Sequence, residues 1–156
     1  MHRIKVDRKE ERDFWNIFPK GGCNNCLANL KEEMKVLVVD DQAGIRCLME
    51  EFLKSQFEFV LTAQSGRETL KILEREPVDL ILLDVNMPGI DGLTTLGLLR
   101  ERGYDCPVVL MTGLGEDQVF EQKIKELKVS GVLTKPFDFY ELTQTIACSL
   151  SLAKEE

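Results

Sequence analysis

No apolar run in this 156-residue chain approaches the length of a bilayer crossing. The opening MHRIKVDRKEER is too charged for the core of a signal peptide. A cytoplasmic location without membrane attachment is therefore expected. Positive charge is not in excess: the net charge of -7 argues against a bulk electrostatic grip on nucleic acid or anionic lipid, which rests on Lys and Arg neutralising phosphates. Histidine is almost missing. With His2 alone, and no second cysteine pair, Cys23 and Cys26 supply only two of the four ligands of a structural zinc. Cysteine is odd in number, five, which implies no disulfide framework; Cys47, Cys106 and Cys148 sit in or beside periodic apolar segments, where thiols act as small hydrophobes. Internal repeats and low-complexity segments are also missing. The remaining composition, 44% hydrophobic and 30% charged, suits one compact domain plus an appendage.

What the chain does have is a stretch, DLILLDVNMPGIDG (79–92), in which an unbroken apolar run ends in one acid, Asp84, before a Pro88-Gly89 turn signal. That is the pattern of a fully buried parallel strand delivering a carboxylate to the rim of a sheet. Three other short apolar runs end comparably. KVLVVDD (35–41) closes in two acids, Asp40 and Asp41; PVVLMTG (107–113) closes in Thr112; GVLTKP (131–136) closes in Lys135. Parallel neighbours would bring these ends to one edge, where open α/β sheets place their ligands. Three acids facing one nearby cation leave a positive charge missing, and an all-oxygen donor set suits Mg²⁺ or Mn²⁺.

Taken in order, residues 1–33 read as an extension: charge-rich, then Phe14-Trp15-Asn16-Ile17-Phe18, a Gly21-Gly22 break and the Cys23/Cys26 pair. Phe14, Ile17 and Phe18 share a helical face able to dock on the main domain or on a partner. Residues 34–154 form the domain proper. Ile45, Leu48, Met49, Phe52 and Leu53 mark a helix with one buried stripe. A strand follows near Phe59 to Ala63, and then a helix opening on a Ser65/Glu68 capping-box signature, with Leu70 and Leu73 on its apolar face. Later helices carry Leu93, Leu96 and Leu99 or Arg100; then Phe120, Ile124 and Leu127; then Phe139, Leu142, Ile146 and Leu150. Five alternations of strand and helix predict an α/β fold, a doubly wound parallel sheet covered on both faces. Nothing of domain size follows Leu152, so no fused output domain is expected downstream.

The Asp40-Asp41 pair, Asp84 in DVNMPGIDG, Thr112 in MTG and Lys135 in KPF resemble the receiver domain of two-component response regulators, of the single-domain, chemotaxis-regulator type. The resemblance covers about Lys35 to Leu152. It implies a flavodoxin-like three-layer fold with five strands in the order 2-1-3-4-5. It also implies that Asp84 accepts a phosphoryl group from the phosphohistidine of a sensor histidine kinase or phosphotransfer protein. Asp41 and Asp84 would give carboxylate oxygens to Mg²⁺, Asn86 its backbone carbonyl, and Asp40 would act through bound water. Lys135 would pair with the phosphoryl oxygens, Thr112 would hydrogen-bond one of them, and Lys135-Pro136 would be cis. Output would pass through contacts with an unidentified protein, with no direct nucleic-acid or membrane partner.

Each residue alone has a plainer reading: Asp41 as a helix cap, Thr112 as a β-branched strand residue, Lys135 as a solvated charge. Their coincidence at successive strand ends favours the joint reading. Two positions depart from the family's pattern. Val132 stands where receivers commonly carry an aromatic switch residue, three before the lysine, and Leu114, two beyond Thr112, offers attacking water no polar group. A docking domain that takes no phosphate is the alternative. An aspartate-nucleophile phosphatase of the haloacid dehalogenase type fits less well, because the residue two beyond Asp84 is Asn86 rather than an acid. Cys23 and Cys26 read as an incidental pair, a redox pair or a zinc site shared between copies.

Overall fold

Strands of five, five, five, five and four residues alternate with five helices in a computed structural model that describes residues 34–113 and 118–155. The strands are β1 (Lys35–Val39), β2 (Phe59–Ala63), β3 (Leu80–Asp84), β4 (Val108–Thr112) and β5 (Gly131–Thr134). The helices are α1 (Ala43–Lys54), α2 (Gly66–Arg75), α3 (Gly92–Glu101), α4 (Gln118–Glu126) and α5 (Phe139–Glu155). The 1–33 segment, with its aromatic cluster and Cys23/Cys26, and Leu114 lie outside the described residues.

The strands form one parallel sheet, as the alternation of elements implied, and their order is β2-β1-β3-β4-β5. Because successive side chains on a strand point to opposite faces, β1 divides its residues between two cores. Leu37 and Val39 join Ile81, Leu83, Leu96 and Leu99 under α2, α3 and α4. Val36 and Val38 join Met49, Leu53, Leu142 and Ile146 under α1 and α5. Burial on both sides explains why β3 and β4 read as continuous apolar runs rather than alternating ones. Each such leucine contributes roughly 1.5–3 kcal/mol of transfer free energy.

Local sequence sets where the helices begin. Ser65 Oγ accepts from Glu68 N at 3.2 Å to open α2, while Glu68 Oε2 reaches back to Gln64 N at 2.9 Å, one residue further than in the usual capping box. Asp91 opens α3 by accepting from Thr94 N at 2.7 Å. Gly103, at φ +85°, lets the chain leave α3.

Three expectations need correction. Leu48 is 58% exposed, so the buried stripe of α1 is Met49 and Leu53, flanked by half-buried Ile45 and Phe52. Cys47 is also exposed and does not serve as a core hydrophobe. Phe139 is 40% exposed, its ring stacked on Phe52 at 4.1 Å instead of entering the core.

Arg100 is a clamp rather than part of the apolar face of α3. Its Nε donates to the Leu127 carbonyl at 2.8 Å, Nη1 to those of Tyr104 and Cys106 at 2.7 and 3.0 Å, and Nη2 to that of Lys128 at 3.2 Å. One planar guanidinium thus ties the end of α3 and the entry to β4 to the turn after α4. Replacing Arg100→Ala is expected to lower stability by about 2–3 kcal/mol, because several charge-assisted bonds are lost at once. Urea unfolding monitored by circular dichroism measures it.

Candidate functional site

The register of the sheet sets which side chains can meet. Val39 pairs with Leu83, Asp84 with Met111 and Thr112 with Thr134, so β1, β3, β4 and β5 all stop at one edge. Asp40 follows β1 immediately and is fully buried. Its Oδ1 accepts from Gln42 N at 2.9 Å, and its Oδ2 accepts from Lys135 Nζ at 3.0 Å. Asp84 ends β3, also buried, with Oδ1 accepting from Asn86 N at 3.1 Å and Oδ2 lying 3.3 Å from Lys135 Nζ. Lys135 is held by its backbone as well: Lys135 N donates to the Thr112 carbonyl at 2.7 Å, and Lys135-Pro136 is cis, as expected.

Asp41 completes the group. It is exposed, and oxygens of Asp40, Asp41 and Asp84 lie within 4.8 Å of one another. The plainer reading of Asp41 as a helix cap does not hold, since Gln42 is the N-cap residue of α1 and makes no side-chain capping bond. Thr112 is buried at the end of β4, one residue past the partner of Asp84. Asn86 is exposed just beyond Asp84. All the residues read from the sequence therefore reach the same edge. Sequence reasoning missed Arg46, a second cation beside the pocket, whose Nη1 donates to the Asp40 carbonyl at 2.7 Å. Its place six residues after Asp40, in the first turn of α1, was the available signal.

Electrostatics follow from burial. Desolvation pushes the Asp84 carboxyl above its ordinary range, and the Asp40 charge adds to this, against the lowering effect of Asn86 N–H and Lys135. Burial disfavours the Lys135 ammonium, but its hydrogen bond to Asp40 and the charges of Asp40 and Asp84 outweigh this and raise its pKa. One ammonium thus leaves the acidic edge under-neutralised. Replacing Asp84→Asn is expected to stabilise the metal-free protein at neutral pH by on the order of 1 kcal/mol. The sign follows from linkage: a raised folded-state pKa makes the carboxylate a cost above that pKa. The gain should fade as pH falls through it and vanish below the unfolded value of about 3.9, where both states are protonated. Denaturation midpoints of both proteins across that range test this.

The donor chemistry fits a small hard cation: three carboxylates, one exposed to solvent, with no thiolate or imidazole among them. The position of Asp84 depends on Gly92, the first residue of α3. A Cβ there would sit 2.3 Å from the Asp84 carbonyl oxygen and 2.7 Å from Val85 Cα, so only glycine lets the helix start this close to the strand end.

A parallel five-stranded sheet with three clustered carboxylates and one ammonium at its carboxyl edge defines a class of α/β domains with an acidic ligand edge. The chain belongs to the response regulator receiver domain family of two-component systems, which residues 36–147 match. It is 35% identical over 118 residues to sporulation initiation phosphotransferase F of Bacillus subtilis, covering 76% of this chain and 94% of that protein. It is also 35% identical to the alkaline phosphatase synthesis transcriptional regulatory protein PhoP of the same organism, but spans only 48% of that longer protein. Among solved structures, the Vibrio cholerae chemotaxis protein CheY4 superposes with a TM-score of 0.66 at 31% identity, over 72% of this chain and 95% of that one. The Thermotoga maritima response regulator TrrA, determined in complex with Mg²⁺-BeF, superposes with a TM-score of 0.64 at 31% identity, over 75% and 99%. The flavodoxin-like fold and strand order expected from the resemblance are those observed. No helix among the described residues is long and apolar enough to cross a membrane.

Proposed function

We propose that this chain is a phosphoacceptor of a two-component phosphorelay, with Asp84 as the residue modified. The observation that carries the reading is the placement of Asp84 between a shared ammonium and two further carboxylates at one sheet edge. In the transfer, an Asp84 carboxylate oxygen attacks the phosphorus of a phosphohistidine. An O–P bond forms, the N–P bond breaks, and its electron pair leaves with the imidazole. Asp41, Asp84 and the Asn86 backbone carbonyl would hold Mg²⁺ directly and Asp40 would hold it through water; Mn²⁺ suits the same donors. Such a cation, when bound, offsets charge on the phosphoryl oxygens. Lys135, already 3.3 Å from Asp84, is placed to do the same from the protein side, and Thr112 to bind one of those oxygens once transferred.

The donor is a sensor histidine kinase or phosphotransfer protein, and the output is contact with another protein, without direct binding of nucleic acid or membrane. On this reading the domain occupies residues 34–154, works in the cytoplasm and has no catalytic output beyond its own phosphorylation and dephosphorylation. Val132 is buried in the core under α4, so no swinging aromatic is available there. The response then passes through Thr112, and the face of α4, β5 and α5 changes less sharply than with an aromatic. An apolar residue at 114 offers attacking water no polar group, so Leu114→Glu should shorten the life of the acyl phosphate. The same Val132 favours, as a second reading, a docking domain that takes no phosphate.

Incubation with acetyl or carbamoyl phosphate and Mg²⁺, followed by intact mass, separates the two. A gain of one phosphoryl mass in the wild type and none in Asp84→Asn is expected. No gain in either supports the docking domain.

A further inference from the structure

Arg46 sits where helix electrostatics disfavours it. It lies in the first turn of α1, at the positive pole of the helix dipole, and that turn contains no acid to offset it. Nor does it form an ion pair among the described residues. The half-buried side chain instead folds back from the helix and donates through Nη1 to the backbone carbonyl of Asp40 at 2.7 Å, leaving the Asp40 carboxylate to Lys135. The bond to that carbonyl is the contact that accounts for its place. We propose that Arg46 is a positioning residue for the cation site, holding the Asp40-Asp41 peptide so that the Asp41 carboxylate stands beside those of Asp40 and Asp84.

Asp40 is held at every polar atom. Its N donates to the Ala63 carbonyl at 3.2 Å, Oδ1 accepts from Gln42 N at 2.9 Å, and Oδ2 accepts from Lys135 Nζ at 3.0 Å. Arg46 takes the remaining group, the carbonyl, so this fully buried residue has one orientation. Asp41 differs: it is exposed, and its side chain makes no hydrogen bond among the described residues. Its direction is inherited from the backbone before it. The Asp40 carbonyl and the Asp41 N–H belong to one planar peptide, so a guanidinium gripping the carbonyl sets the plane from which Asp41 departs. Arg46 is itself anchored, because its N donates to the Gln42 carbonyl at 3.1 Å in the opening turn of α1. Helix end, turn and carboxylate thus form one frame.

A plainer role, satisfying a buried carbonyl, would affect stability alone. A positioning role also reaches the cation, and there the side chain has two effects of opposite sign. As a charge, Arg46 repels a bound cation, so removing it by charge alone would tighten binding. As the holder of the turn it favours binding, so removing it would loosen binding by about tenfold, the lower end of what outer partners of metal ligands contribute. The inference rests on the proposed reading of the three carboxylates as a hard-cation site; it needs no phosphoryl transfer.

Titration of the full-length protein with Mn²⁺, followed by the electron paramagnetic resonance of the free ion, tests it. The wild type is expected to bind Mn²⁺ that Mg²⁺ displaces and that Asp41→Asn fails to hold. Arg46→Met should bind it about tenfold more weakly with unchanged far-ultraviolet circular dichroism. Arg46→Gln, shorter and uncharged, is the second variant and should also bind more weakly, whereas Arg46→Lys, which keeps a donor and the charge, should recover most of the affinity. Lys54→Met, at the far end of α1 and paired with Glu50, is the control for charge and should bind as the wild type does. Equal or tighter binding by the folded Arg46→Met or Arg46→Gln protein overturns the positioning role and leaves the cation site standing. No Mn²⁺ bound by the wild type, or binding unaffected by Asp41→Asn, overturns the site and the inference together.

Discussion

Replacing Lys135→Met should cost about 3–5 kcal/mol of stability at neutral pH in metal-free buffer, the usual penalty for removing one partner of a buried charge cluster. The methionine keeps the volume of the side chain and removes only its charge and donors. Asp40, fully buried, would lose the 3.0 Å bond to its Oδ2, and Asp84 would lose the ammonium at 3.3 Å. Two carboxylates would then face each other without the ammonium they share. Two further results follow from that cause. Acidification should recover part of the loss, since Asp84, already raised by burial and by Asp40, takes up a proton more readily than an ordinary carboxylate. Millimolar Mg²⁺ should recover more of it than it adds to the wild type, because a bound cation replaces the missing charge. Urea unfolding with and without Mg²⁺ measures both. An equal loss in the two buffers would mean that Lys135 acts through packing alone.

Gly92→Ala is expected to be nearly as damaging, at about 3 kcal/mol, for a steric reason. The added methyl would meet the Asp84 carbonyl and the Val85 backbone, neither of which can move without shifting the end of β3. Gly92 N also donates to the Val85 carbonyl at 3.0 Å, so helix and strand end are already fastened together. The variant should therefore lose phosphoryl uptake together with stability. Gly97→Ala, on the same helix where a Cβ meets nothing within 4 Å, is the control and should be neutral or slightly stabilising. Thermal unfolding of the two variants side by side separates close approach from general helix effects.

The fold was legible because burial on both faces writes itself as runs such as Leu80–Leu83, and because Ser65 and the glycines punctuate the runs at the right places. The site was legible for a related reason. Parallel strands must end at a common edge, so Asp40, Asp84, Thr112 and Lys135 could be brought together without knowing any distance. What the sequence hid were contacts made by residues with two plausible environments. Leu48 has the spacing of a core residue, but the stripe of α1 is filled by Met49 and Leu53 and turns Leu48 outward. Arg100 sits on the apolar side of α3, where spacing alone cannot separate a leucine position from a guanidinium reaching four carbonyls across the chain. The need for Gly92 was equally hidden, since a glycine before a helix usually signals only a turn. Asp91, next to it, reads as part of that turn and is the cap.

Asp84, alone among the clustered acids, is the group proposed to be esterified. Treating the protein with acetyl phosphate and Mg²⁺ and then with borohydride reduces an aspartyl phosphate to homoserine, a change that peptide masses locate. Arg46 and Arg75 place Asp84 and the Asp40-Asp41 pair on different tryptic peptides. The predicted result is homoserine at position 84 and unmodified aspartate at 40 and 41, dependent on Mg²⁺ and greatly reduced in Lys135→Met. Homoserine at 40 or 41, or none anywhere, would contradict it.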